Sequence, residues 1–195
     1  MEAAQGVRTS ARMVGVGDPV TVGVLLSAAA ALSLERACYV WVWRAPDQFR
    51  AFCSAWPRAW RRDPVDALRA LFLVFKVIQL TVFLGWCASY GALWPIHQTW
   101  GAWVAGGVLL AVGQALNLSV FARLGSTGVF YGTRFGHAIP WQRGFPFSLL
   151  SHPQYVGTVL TVWGFFLIMR FPYADWYALP ALETVYYVVG ARLER

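Results

Sequence analysis

The chain has little charge and only one lysine. Charged residues make up 13% of its 195 residues, whereas a soluble domain averages about 25%. Apolar residues make up 58%, and a chain of this length cannot hide so much apolar surface in one soluble core. The surplus predicts an integral membrane protein whose outer surface contacts lipid.

Cysteine is also scarce. Cys38, Cys53 and Cys87 have no metal-ligand spacing, and their odd number argues against a disulfide framework. We expect three buried small side chains and no metal site. The sequence also lacks a zinc signature, a nucleophile elbow and a strand followed by a glycine-rich nucleotide loop. The absence of the glycine-rich nucleotide loop argues against a Rossmann-type enzyme.

The basic residues, fifteen arginines and Lys76, give a net charge of +7. They do not form one stripe, as a nucleic-acid-binding surface would, but cluster between the hydrophobic runs. That layout follows the positive-inside rule and suits contact with anionic lipid headgroups. We therefore expect the bilayer, and no nucleic acid, as a partner.

Hydrophobic runs predict an all-α, polytopic membrane protein of four or five spans, because a spanning helix needs about 20 apolar residues. A short tail, residues 1–19, precedes a single membrane-embedded domain, residues 20–195. The least secure span is the first, which contains the adjacent charges Glu35 and Arg36 and could be re-entrant. Lys76, in the second, is expected to extend toward the headgroups. The last two are short and predict a helical hairpin. The predicted spans are Val20–Trp43, Leu68–Trp94, Trp100–Ala122, Pro153–Met169 and Trp176–Val189.

Arginine distribution predicts the orientation. The loop between the first two spans carries Arg44, Arg50, Arg58, Arg61 and Arg62, and the loop after the third carries Arg123, Arg134 and Arg143. Loops rich in arginine face the cytosol, so the N-terminus should be luminal and the chemistry cytosolic.

The most informative stretch is 123–158, in which glycines alternate with aromatic residues and three prolines. It is either a floppy loop or, since floppy loops are rarely so aromatic, the wall of a pocket. His152 and Tyr155 are three residues apart at the start of a helix, so they face the same way. They could converge on one ligand, or be an interfacial histidine and tyrosine that bind nothing.

Other polar residues lie inside hydrocarbon. Gln114 and Asn117 share a helix face and are more typical of interhelical hydrogen bonds than of ligands. Gly106, Leu110 and Gly113 line one face, against which a neighbouring backbone or a flat adenosyl group could pack. Glu183 is a functional candidate, as an intramembrane carboxylate is by default, or alternatively it pairs with Lys76 or Arg36.

Two segments resemble a known family: LNLSVFARLGSTGVFYGTRFG, residues 116–136, and FPFSLLSHPQYVGT, residues 145–158. They are similar to the phosphatidylethanolamine N-methyltransferases, whose wider superfamily includes the isoprenylcysteine carboxyl methyltransferases. VFYGTRFGHAIPW and the early ERACYVWVW look most like the plant and algal enzymes. The resemblance covers about residues 34 to 195.

The resemblance implies S-adenosylmethionine as cofactor. The family's Gly-x-Gly slot falls on Ala111, Val112 and Gly113, where only the second glycine is retained. Its closing Glu-Glu slot falls on Glu194 and Arg195, where only the first acid is retained. With the Pro-Gln-Tyr-Val-Gly block, the expected cofactor-binding residues are Ala111, Val112, Gly113, His152, Tyr155, Gly157, Glu194 and Arg195. His152 and Tyr155 are also the catalytic candidates.

The implied reaction is N-methylation of phosphatidylethanolamine-type lipids, mainly the monomethyl and dimethyl forms, to phosphatidylcholine. Aromatic residues could hold the cationic centres by cation–π contact: Phe130, Tyr131, Trp141 and Tyr155. The implied location is the endoplasmic reticulum membrane, with mitochondrion and plastid as alternatives. A prenylcysteine carboxyl methyltransferase and a non-catalytic lipid-binding protein remain open as alternative functions.

Overall fold

A computed structural model describes residues 19–55, 63–90, 94–95 and 99–194. Throughout these ranges the regular elements are helices, in agreement with the predicted all-α class. In chain order they are α1 (Pro19–Arg44), α2 (Pro46–Ala55), α3 (Pro64–Tyr90), α4 (Trp100–Val129), a 3-10 turn (Gly132–Phe135), α5 (Pro153–Met169) and α6 (Ala178–Leu193). Residues 1–18 of the predicted tail, and Arg58, Arg61, Arg62 and Arg195, lie outside the described ranges.

The helices begin where the sequence provides a start signal. Proline opens α1, α2, α3 and α5, because its missing N–H costs nothing in the first turn. The carboxylate of Asp63 accepts from the N–H of Val65 at 2.9 Å ahead of α3. The Thr99 side chain caps α4 by accepting from the N–H of Ala102 at 3.2 Å. Side-chain caps of this kind satisfy otherwise unpaired donors.

Each predicted span corresponds to a helix. Three helices are long and apolar enough to cross a membrane, and α5 is a shorter apolar helix. The suspected re-entrant first span is a continuous 26-residue helix. The short α2 was missed, because ten amphipathic residues resemble a polar loop in hydropathy. The third predicted span is α4, which continues past Ala122 to Val129. Its helical geometry breaks at Gly125, whose φ of 63° suits glycine.

Two sets of contacts fix which helix ends lie together. The Nε of Arg44, at the end of α1, donates to the carbonyl of Leu193, at the end of α6, at 3.1 Å. At the other end of the bundle, the indole N–H of Trp86 donates to Asp175 at 2.7 Å. Asp175 also accepts two hydrogen bonds from Arg170, at 3.0 and 2.6 Å. The connections therefore alternate between two ends, as a polytopic bundle requires.

Glycines hold α4 and α5 unusually close together. A Cβ on Gly106 would lie 2.8 Å from the carbonyl of Gly164, and one on Gly113 would lie 2.5 Å from the carbonyl of Gly157. The two pairs are seven residues apart on each helix and run antiparallel. Of the two partners predicted for the Gly106–Gly113 face, the structure shows a neighbouring backbone. Small residues allow such approach in membrane helices.

Replacing one of these glycines should separate the helices. We expect Gly113→Ala to lower the free energy of unfolding by about 1–3 kcal/mol, the usual cost of overpacking. Gly107→Ala on the same helix is the control, because nothing lies within 4 Å of its Cβ position. Thermal unfolding in detergent measures both. Equal midpoints for the two variants would contradict the packing role of Gly113.

Candidate functional site

A cavity of about 620 Å³ lies inside the bundle, within the size range of small-molecule sites. Helices α1, α3, α4, α5 and α6 all contribute to its wall. Its polar and charged lining residues are Glu35, Arg36, Lys76, Gln79, Gln114, Asn117, Ser151, His152, Gln154, Thr158, Thr161 and Glu194. The cavity therefore combines an apolar shell with converging polar groups.

At one pole of the cavity a tyrosine and a glutamate meet. The hydroxyl of Tyr155, in the first turn of α5, donates to Oε2 of Glu194, just after α6. The Tyr131 hydroxyl lies 3.3 Å from that of Tyr155. His152 stacks on Tyr155, with ring centroids 5.6 Å apart. The other carboxylate oxygen of Glu194 is buried and has no hydrogen-bond partner among the described residues.

At the opposite pole a buried charge network joins α1, α3 and α6. Glu35 accepts from Arg36 at 2.7 Å and from Lys76 at 3.1 Å. Lys76 also donates to Gln79 at 2.9 Å, and Gln79 donates to Glu183 at 2.7 Å. Lys76 was expected to extend to the headgroups, and that prediction is wrong, because its ammonium finds a carboxylate and an amide inside the bundle.

Tyrosine rings connect the two poles. The guanidinium carbon of Arg36 lies 4.2 Å from the ring centroid of Tyr187, 5.0 Å from that of Tyr39 and 5.4 Å from that of Tyr155. Tyr155 thus contacts Arg36 with its face and Glu194 with its hydroxyl. Cation–π contacts of this kind partly replace water around a buried cation.

The glycine- and aromatic-rich segment forms part of the cavity wall. Its lining residues are Leu124, Gly128, Val129, Phe130, Tyr131, Phe147, Ser151, His152, Pro153, Gln154, Tyr155 and Thr158. Tyr131 has a φ of 56°, a left-handed conformation that costs a non-glycine residue energy and that clusters at functional sites. Of the two predictions for this segment, the structure agrees with the pocket wall.

Some of the predicted site residues line the cavity, and others do not. His152, Tyr155 and Glu194 line the cavity. Gly113 and Gly157 are buried in the contact between α4 and α5, and Ala111 and Val112 are exposed outside the cavity lining. Arg195 lies outside the described residues. Cofactor binding by the 111–113 slot stays a prediction, for which the structure offers helix packing as the observed role of Gly113.

The remaining predictions can also be compared with the contacts. Gln114 donates to the hydroxyl of Thr161 on α5 at 3.0 Å, which confirms its interhelical hydrogen bond. Phe130, Tyr131 and Tyr155 line the cavity, but Trp141 is 87% exposed and does not. Trp141 was therefore wrongly predicted among the pocket aromatics, because composition alone cannot tell which loop side chains turn inward.

Parts of this chain are similar in sequence to known proteins. The family model for phospholipid methyltransferases matches residues 102–195. A phosphatidyl-N-methylethanolamine N-methyltransferase of Arabidopsis thaliana is 33% identical over 137 residues, 70% of this chain and 75% of the relative. The chain belongs to the phospholipid methyltransferase family. An Emericella nidulans enzyme of the same name is 41% identical over 36% of this chain and 33% of its own length.

A third relative, phosphatidylethanolamine N-methyltransferase A of Dictyostelium discoideum, is 30% identical over 45% of this chain and 44% of its own length. No solved structure matches the chain. The part matched by the phospholipid methyltransferase model contains Tyr131, Tyr155 and Glu194. Glu35, Arg36 and Lys76 lie before it.

The cavity's charged pole is what sequence reasoning missed in this phospholipid methyltransferase. Glu35, Arg36, Lys76 and Glu183 were each noted as charges within apolar runs, but nothing in the sequence showed that they meet. The available signal was that four intramembrane charges of balanced sign need partners. A pairing of Glu183 with Lys76 or Arg36 was one alternative from the sequence; the structure instead joins Glu183 to Lys76 through Gln79 and pairs both cations with Glu35.

Removing the central carboxylate of this network should destabilise the bundle. In Glu35→Gln, Arg36 and Lys76 lose their shared counter-charge, and breaking a buried pair costs about 3–5 kcal/mol. Asp47→Asn is the control, because Asp47 pairs with Arg50 at an exposed position, where ion pairs contribute little. Chemical unfolding in detergent should show a large loss for Glu35→Gln alone. Equal, small losses would contradict the central role of Glu35.

Proposed function

We propose that this phospholipid methyltransferase transfers methyl groups from S-adenosylmethionine to the nitrogen of phosphatidylethanolamine-type lipids, mainly their monomethyl and dimethyl forms, giving phosphatidylcholine. The Arabidopsis relative named above for the monomethyl lipid covers most of this chain. The observation that carries the proposal is Glu194, whose buried, unpartnered oxygen belongs to a residue that lines a ligand-sized cavity inside a membrane bundle.

The cavity residues fit the methyl donor. A buried carboxylate oxygen without a partner costs free energy unless a donor reaches it, and ribose hydroxyls are such donors. Tyr155 orients the Glu194 carboxylate through its hydroxyl. The ring of Tyr131 lines the cavity and can hold a cationic centre by cation–π contact, whereas the ring of Tyr155 is already in contact with Arg36 and His152. When bound, S-adenosylmethionine supplies an electrophilic methyl group on a positively charged sulfur.

The lipid nitrogen must be unprotonated to attack that methyl group. As the nitrogen–carbon bond forms, the sulfur–carbon bond breaks and the sulfur keeps its electron pair. A primary or secondary amine is mostly charged near neutral pH, so the site must accept a proton. His152 lines the cavity and has an imidazole that can accept it, whereas the Tyr155 hydroxyl is engaged with Glu194. We assign proton acceptance to His152 and orientation of the carboxylate to Tyr155.

The lipid has a route that does not cross water. Leu80 on α3 and Leu118 on α4 line the cavity, and both side chains are more than half exposed. We infer that lipid enters between these two helices from the bilayer. The Tyr155–Glu194 pole lies at the bundle end that carries Arg44 and Arg134, so it faces the cytosol if the positive-inside rule holds. The endoplasmic reticulum is the membrane we propose.

Glu194→Gln should weaken use of the methyl donor. Losing a charge-assisted hydrogen bond costs about 1.5–3 kcal/mol, which corresponds to roughly a ten- to hundredfold rise in the KM for the donor. The KM for the lipid should change much less. Arg192→Gln, at an exposed position on the same helix, is the control and should leave both constants unchanged. A donor KM that stays at the wild-type value in Glu194→Gln would remove this residue from the cofactor site.

Lipid specificity tests the proposed function directly. We expect purified enzyme in micelles to convert the monomethyl and dimethyl lipids well and phosphatidylethanolamine slowly. One buried methyl group provides only about 1 kcal/mol of discrimination, so the rates should differ by roughly fivefold. The measurement is methyl incorporation with each lipid supplied separately. Phosphatidylethanolamine methylated as fast as its monomethyl form would contradict the preference, and no methylation of any lipid would contradict the function.

A further inference from the structure

The charged pole of the cavity contains the guanidinium of Arg36, one nitrogen of which has no hydrogen-bond partner among the described residues. Arg36 is 8% exposed, and its Nη2 donates to Glu35. Its Nη1 is buried and has no hydrogen-bond partner among the described residues. An unpartnered donor on a buried cation is costly, so a ligand that supplies an acceptor would be bound there with little reorganisation.

The charges that face the cavity at this pole do not cancel. Arg36 and Lys76 are two cations, and Glu35 is the single carboxylate between them. Glu183 lies behind Gln79, accepts its hydrogen bond from that amide, and is not part of the cavity wall. The side chains that line this pole therefore carry two positive charges and one negative charge, and the balancing carboxylate of Glu183 lies behind Gln79.

Arg36 is also held by aromatic rings close to the pole of the cavity where Tyr155 and Glu194 meet. Its guanidinium lies against the rings of Tyr39, Tyr155 and Tyr187, and Tyr155 contacts Glu194. An anion bound by Arg36 would lie close to Tyr155, whose hydroxyl contacts the Glu194 carboxylate. This arrangement suits a zwitterionic ligand that places its anionic group at Arg36 and its cationic group nearer Glu194.

We propose that Arg36, supported by Lys76, forms an anion-binding subsite of the cavity. The ligand is a carboxylate or a phosphodiester carried by one of the two substrates. This inference rests on the proposed function, since both the methyl donor and the lipid are zwitterions. The subsite lies in α1 and α3, before the part of the chain that the family model matches.

The test compares ligands that differ only in the anion. The donor pair is S-adenosylhomocysteine and its decarboxylated counterpart. The lipid pair is a dimethylated phosphatidyl lipid and a dimethylamino lipid without phosphate. Dissociation constants are measured by titration in micelles for the wild type and for Arg36→Gln. Glu35 keeps Lys76 as its partner in this variant, so its charge stays compensated.

We expect one pair to bind the wild type with a ten- to hundredfold preference for the anionic member, falling to about onefold in Arg36→Gln. Loss in the donor pair identifies the carboxylate, and loss in the lipid pair identifies the phosphodiester. Lys76→Gln should reduce the same preference less, and decides the matter if Arg36→Gln does not fold. The matched control is Arg170→Lys, because Arg170 is buried but fully paired with Asp175, and its preferences should equal those of the wild type.

Unchanged preferences in both pairs would overturn the subsite and leave Arg36 with a packing role alone. Turnover is measured separately from binding. A wild-type protein that binds these ligands without methylating any lipid would contradict the proposed function, and the comparison of preferences would still test the subsite.

Discussion

The carboxylate of Glu35 is the interaction on which the cavity depends. It neutralises Arg36 from its own helix and Lys76 from α3, and the network continues through Gln79 to Glu183 on α6. This network joins the three helices inside the bundle, in addition to the hydrogen bonds that Arg44 and Tyr186 make between α1 and α6. Because buried charges tolerate few alternative arrangements, the network also fixes where the guanidinium of Arg36 lies relative to Tyr155. The cationic pole of the cavity is the consequence of this one constraint.

Close packing of α4 against α5 supplies the opposite wall. The glycine contacts on one face of α4 leave neighbouring positions, among them Leu110, Gln114 and Asn117, on the cavity side. The same contact places the start of α5, with His152 and Tyr155, beside the end of α6 and Glu194. The glycines of the α4–α5 contact thus help to position Tyr155 beside Glu194 without lining the cavity themselves. Gly113, which the family resemblance predicts to bind the cofactor, is observed in this contact, buried against a helix.

Much of this architecture could be predicted from the sequence. Hydropathy identified the spanning helices, and the predicted fourth span, Pro153–Met169, matches α5, whereas the start of α3 at Pro64 was predicted four residues late, at Leu68. His152, Tyr155 and Glu194 were correctly expected to share a pocket with the glycine-rich segment, although only the structure shows that Tyr155 donates to Glu194. The charged pole could not be predicted, because Glu35 and Lys76 are 41 residues apart and helix rotation decides whether they meet. Trp141 was wrongly placed in the pocket and α2 was not predicted, both for a similar reason. Local composition does not reveal which side of a short segment packs inward.

The proposed function requires the cavity to bring a methyl donor to the amine of a phospholipid. The most direct measurement expresses the chain in a host that lacks phosphatidylcholine, supplies monomethyl lipid and a radiolabelled methyl donor, and separates the extracted lipids by thin-layer chromatography. We expect label in dimethylated lipid and phosphatidylcholine. This label should be lost when Tyr155 and Glu194 are both replaced by residues without the hydroxyl and the carboxylate. Label confined to the protein fraction, or an unlabelled lipid extract, would contradict it.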